Sequence, residues 1–107
     1  MTDQPAASPL ESVWYVEATY APDAAETRGP FRAEHLAGVR ARLASGVYVE
    51  AGAFLDVSAS VVLVRAADEA EAIRLVSDDV YLRNGVWVEV RARAFGRVVP
   101  SDSASGG

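Results

Sequence analysis

The order of the apolar patterns limits this chain more than any other feature. Four β-rich runs and two helical runs follow one another as strand, helix, strand, strand, helix, strand. Residues 13–20 predict the first strand, with Val13, Tyr15, Glu17 and Thr19 on one side and Trp14, Val16, Ala18 and Tyr20 on the other. Ala21-Pro22-Asp23 ends it, and a charged loop leads to Gly29. Pro30 suits a first helical position, the helix runs to Ser45, and Gly46 supplies its left-handed cap. Residues 48–55 form the second strand, with Tyr48, Glu50, Gly52 and Phe54 facing one way and Val49, Ala51, Ala53 and Leu55 the other. A turn at 56–58 joins it to a near-continuous apolar third strand, 59–65, as a hairpin. Asp68-Glu69-Ala70-Glu71 opens the second helix as a capping box, and that helix ends near Ser77. Residues 78–85 read as one helical turn with an aspartate before it and Gly85 after it. The last strand covers 86–99, with Val86, Val88, Val90, Ala92 and Ala94 opposed to Trp87, Glu89, Arg91, Arg93 and Phe95, and Gly96 marks a bulge.

This order predicts an α+β, ferredoxin-like βαββαβ domain with a four-stranded antiparallel sheet and both helices on one face. By alternation the other face holds Tyr15, Glu17, Tyr48, Glu50, Phe54, Trp87, Glu89 and Arg91. It is too aromatic to sit comfortably in water and too charged for a dry core. The expectation is therefore a homodimer through the open sheet face, the alternative being a solvated face with scattered aromatics.

A length of 107 residues, half of them hydrophobic, suits one domain, placed at 12–99 between tails at 1–11 and 100–107. There is no apolar run long enough for a membrane span and no basic-then-apolar start of a secretory signal. The absence of cysteine removes disulfides, thiolate catalysis and cysteine-ligated metal. Together these features point to the cytoplasm. A net charge of −5 argues against nucleic acid as a partner. One histidine among scattered carboxylates is a poor metal set, and neither a Gly-x-Ser-x-Gly elbow nor a glycine-rich phosphate loop occurs.

Polar chemistry concentrates at 29–36. Leu36, Val39 and Leu43 make one apolar stripe on the helix, Arg32 falls inside that stripe, and His35, the only histidine, lies on its shoulder. Arg32 either snorkels to solvent from the first turn or meets a partner or a wet pocket. Taken singly, His35 reads as a surface histidine at a helix edge and Asp79 as an ordinary N-cap.

Trp14-Tyr15-Val16-Glu17-Ala18-Thr19-Tyr20, Phe31-Arg32-Ala33-Glu34-His35-Leu36, Ala51-Gly52-Ala53-Phe54, and Asp79-Val80-Tyr81 with Gly85-Val86-Trp87 resemble, in order and spacing, the YciI-like (YCII-related) family of dimeric α/β-barrel proteins. The resemblance implies a sheet-to-sheet dimer and a pocket with a His–Asp pair, which by motif position is His35 and Asp79. It implies a small cofactor-free enzyme doing acid/base lyase or isomerase chemistry on a small polar or hydroxylated aromatic compound, as in related dehydrochlorinases. Asp79 would orient His35 for proton transfer, Arg32 would hold an oxyanion or carboxylate, and Tyr81 and Trp87 would wall the pocket. The alternative is a non-catalytic small-ligand or accessory module in the same dimeric form. Two departures stand out. Val80 replaces the family's usual proline, and the hairpin Asp56-Val57-Ser58-Ala59-Ser60 lacks its glycines. The hairpin must then avoid positive φ at Val57 and Ala59 or carry strain, which leaves the role of Ser58 and Ser60 open.

Overall fold

The computed structural model describes residues 10–100, so 1–9 and 101–107, where most of both predicted tails fall, lie outside the described residues. In chain order the elements are β1 (Leu10–Tyr20), α1 (Ala24–Thr27), α2 (Gly29–Ser45), β2 (Tyr48–Ala53), β3 (Ala59–Val64), α3 (Glu69–Ser77), α4 (Val80–Arg83) and β4 (Trp87–Val98). The strands form one antiparallel sheet in the order β2-β3-β1-β4. This is the predicted ferredoxin-like α+β arrangement, in which each helix between two strands carries the chain past an intervening strand. No helix among the described residues is long and apolar enough to cross a membrane.

The core lies between the sheet and its helices. Val16, Ala18, Val62 and Val64 from the two central strands meet Ala72 and Val76 of α3, together with Val86, and all are at most 4% exposed. Full burial of each valine stabilises the fold by roughly 1.5–3 kcal/mol. Ala72 and Val76 are four apart, which puts both on the same side of α3. The capping box forms: Asp68 accepts from the Glu71 amide at 2.8 Å, and the Glu71 carboxylate accepts from the Ala67 amide at 2.6 Å.

Several expectations are corrected. β1 starts at Leu10, not at residue 13, and Glu11 is held by Arg65 at 2.6 Å and Arg97 at 3.1 Å. The charged loop before Gly29 contains α1, whose amides at Glu26 and Thr27 donate to the Asp23 carbonyl while Ala24 is buried. The stripe on α2 is not a core stripe: Leu36 and Val39 are half-buried, Leu43 is 38% exposed, and His35 is the buried residue of this helix. β2 stops at Ala53, leaving Leu55 fully in solvent. Gly96 sits in regular pairing opposite Ser12, so no bulge forms there.

The bulges lie elsewhere, and they turn two aromatics over. Thr19 is opposite Glu89 while Tyr20 is opposite Trp87, which leaves Val88 as an extra residue. Tyr48 is opposite Val64 while Glu50 is opposite Leu63, which leaves Val49 extra. One inserted residue reverses the in–out alternation. Tyr48 and Trp87, expected on the open face, are therefore buried on the helix side, 3% and 2% exposed. In the hairpin, Val57 takes φ = 58°, a strained value for a β-branched residue, whereas Ala59 avoids positive φ.

Candidate functional site

The site begins with a cap. Asp79 has extended backbone angles, φ −118° and ψ 141°, and its Oδ1 accepts from the Tyr81 amide at 2.8 Å. Its own carbonyl accepts from Leu82 and Arg83 at 3.0 and 3.2 Å. A side chain pinned at both ends of its residue has little freedom, and α4 thereby aims the carboxylate at α2. There both oxygens lie 2.9 Å from Nδ1 of His35, with the two side chains 6% and 10% exposed. A carboxylate only accepts, so Nδ1 carries the hydrogen and donates it. In the neutral ring the basic lone pair is then on Nε2, which has no protein partner among the described residues.

Aromatic rings fix the imidazole from two more directions. Tyr81 stacks on it with centroids 3.9 Å apart and 7° between planes. Trp87 presents an edge-on contact at 5.3 Å and 87°. Tyr20 packs edge-on to both Tyr81 and Trp87, and its hydroxyl accepts from Ser60 Oγ at 3.1 Å. The Trp87 indole N–H is buried with no acceptor among the described residues.

These groups border a cavity of about 240 Å³. Its apolar wall comes from Leu36 and Val39 of α2, from Ala51 and Ala53 of β2, and from Val62. His35, Tyr20, Tyr48, Ser60, Tyr81 and Trp87 supply the polar and aromatic lining, and Arg28 and Arg32 the charge. Among the described residues no carboxylate lines it; Asp79 sits behind His35. Burial holds the Tyr81 hydroxyl above its ordinary pKa, with Tyr20 adding to the rise, while the charges of Arg28 and Arg32 pull the other way. Burial pushes the Tyr48 hydroxyl up to about 12 despite the nearby Arg42. Among the described residues no group of three or more histidines or carboxylates is placed to hold a metal ion.

Of the residues singled out in the sequence, His35, Arg32, Tyr81 and Trp87 all reach this one cavity, and Asp79 reaches it through His35. Arg32 is exposed, as a snorkelling side chain would be, yet it borders the hollow. Beyond the apolar wall, four polar or aromatic lining residues were not anticipated: Arg28, Tyr20, Tyr48 and Ser60. For Arg28 a signal was present, because it precedes Arg32 by four positions and shares its side once the helix is continued backwards. The two tyrosines could not be placed without knowing the bulges.

Residues 13–96 match the YCII-related domain, and the chain belongs to that family. No curated protein sequence matches it. Among solved structures it is similar to 5-chloro-2-hydroxyhydroquinone dehydrochlorinase (TftG) from Burkholderia phenoliruptrix AC1100, in complex with 2,5-dihydroxybenzoquinone. The TM-score is 0.66 and the identity 16%, over 78% of this chain and 92% of that one. At that identity the likeness shows a shared fold.

Proposed function

We propose that the chain is a small enzyme that needs no cofactor and performs acid/base elimination or isomerisation on a hydroxylated aromatic compound. The observation that carries this reading is the contact of His35 Nδ1 with both Asp79 oxygens at 2.9 Å, which leaves the other ring nitrogen to serve as the base beside a sheltered hollow. Nε2 takes a proton from a ring hydroxyl or from carbon next to a carbonyl. In an elimination the carbon–leaving-group bond then breaks, the leaving group departs with the electron pair, and the products are the unsaturated compound and HX. In an isomerisation the imidazolium returns the proton to a different atom. Asp79 keeps the ring aligned and stabilises its positive form, Arg32 holds an oxyanion or carboxylate of the substrate, and Tyr81 and Trp87 wall it. The dehydrochlorinase activity in the name of the structural neighbour fits this class of chemistry.

The reading includes a homodimer through the open sheet face. With Tyr48 and Trp87 turned inward, that face retains Tyr15 and Phe95, whose rings lie 6.3 Å apart, beside the half-buried Leu63. Such a patch favours covering by a second copy.

The test is a turnover panel of chlorinated and unchlorinated hydroxyhydroquinones and keto acids, followed by chloride release and by proton exchange. Turnover that His35→Gln abolishes, while the variant still binds the compound, supports the enzyme. Tight binding of a panel member with no turnover by the wild-type chain would replace this reading with that of a binding module.

A further inference from the structure

All ten cationic side chains of this protein are arginines. Arg42, Arg65, Arg74, Arg83, Arg91 and Arg97 each pair with a carboxylate. Arg28, Arg32, Arg40 and Arg93 pair with none among the described residues. Two of these four, Arg28 and Arg32, border the same cavity. Arg28 caps α2 and Arg32 lies one turn later, so a single helix end presents both. In a chain with fifteen acidic residues and a net charge of −5, two adjacent unpaired arginines beside a hollow free of carboxylates run against the average composition. Both lower the pKa of the Tyr81 hydroxyl against the effect of burial, and the ring of Tyr81 stacks on His35.

The size and lining of the hollow describe the rest of the ligand. An apolar cavity of roughly 150 Å³ admits a benzene molecule, so the present hollow of about 240 Å³ has room for one ring with substituents. The apolar wall and the edge-on aromatics suit the faces of such a ring.

From these features we infer that the cavity recognises a carboxylated aromatic acid, its carboxylate taken by Arg28 and Arg32 together and its ring held against the apolar wall. Paired arginines match the planar two-oxygen geometry of a carboxylate. This deepens the proposed function by naming the substrate class, and it rests on that reading only for the fate of the bound acid.

The experiment is calorimetric titration of the full chain with 2,5-dihydroxybenzoate and with 2,5-dihydroxybenzamide, which share the ring and hydroxyls but differ in charge. It is run on the wild-type chain and on His35→Gln, so that binding is read whether or not turnover occurs. The acid is expected to bind at least about tenfold more tightly than the amide in both forms. Arg28→Gln and Arg32→Gln should each erase most of that preference and leave amide binding unchanged. Equal binding of acid and amide, no binding of the acid, or a preference that survives the double variant would each overturn the inference. None of these results depends on catalysis. A failed turnover panel alongside a retained acid preference would reject the enzyme and keep the anion site.

Discussion

The imidazole of His35 lies flat against the ring of Tyr81, 3.9 Å between centroids and 7° between planes. Asp79 grips one edge of the same imidazole with both carboxylate oxygens at 2.9 Å, and Tyr81 is held to Asp79 in turn through its amide at 2.8 Å. Three residues thus close a small loop of mutual restraint, in which one side chain both caps α4 and sets the tautomer. Orientation and local stability depend on the same carboxylate.

Two substitutions at Asp79 should separate those roles. Asparagine caps helices as well as aspartate does, so Asp79→Asn is expected to leave the unfolding midpoint nearly unchanged. It cannot offer His35 two equivalent acceptors, and turnover should fall by about 10²–10⁴-fold. Asp79→Ala loses the cap and leaves a buried donor unmet, a loss of roughly 1–3 kcal/mol in urea unfolding. Full activity in Asp79→Asn would contradict the orienting role.

Val57 offers a gain in stability. Its φ of 58° places a β-branched residue in left-handed space, where the penalty is roughly 1–2 kcal/mol. Its amide donates to Phe54 at 3.0 Å and Ser58 is fixed by Asp56 at 3.0 Å, so the loop imposes this angle. Val57→Asn relieves the strain but gives up some half-buried apolar contact. The net should be up to about 1 kcal/mol more stable, read as a higher urea midpoint at constant slope.

Alkaline stability should follow the buried tyrosines. Tyr48 is raised from 10.0 to about 12 in the fold by burial, and Tyr81 is raised by the same cause. A folded-state pKa above the unfolded value means that the unfolded chain releases its proton first as pH rises. The contribution is therefore complete below pH 10 and is lost between pH 10 and about 12. Tyr48→Phe should flatten the fall in denaturant midpoint across that window, with tyrosinate absorbance appearing late in the native wild-type chain.

Phe95 tests the dimer. It is 43% exposed and packs near Tyr15 on the open face, and it does not line the cavity beside His35. Sedimentation equilibrium is expected to give a dimer for the wild type and a monomer for Phe95→Glu, with the circular dichroism of the fold retained. A wild-type chain that sediments as a monomer throughout would remove the proposed interface.

The architecture was legible because period-two and helical patterns alternate cleanly and the caps at Gly46, Asp68 and Asp79 are chemically explicit. What alternation could not reveal was where it breaks. Nothing in the residues 48–50 or 86–89 announces an extra residue in the ladder, so Tyr48 and Trp87 were assigned to the wrong side. On α2 the leucine-rich stripe suggested the buried direction, yet the polar His35 takes the buried position because Asp79 and Tyr81 of α4 satisfy and cover it. Pairing of residues forty-four positions apart came from family resemblance, since spacing alone carries no such information.

Val88 borders none of the hollow and is 59% exposed, and it is the residue that the ladder of β4 leaves out. Deleting that single codon would close the irregularity, with Trp87 and Glu89 then consecutive, on opposite faces, and Trp87 still across from Tyr20. The histidine would keep its edge-on neighbour. Only a strand run in plain pleating with all its residues in place would swing the indole out to the opposite surface, so position 88 should accept many residues, or none.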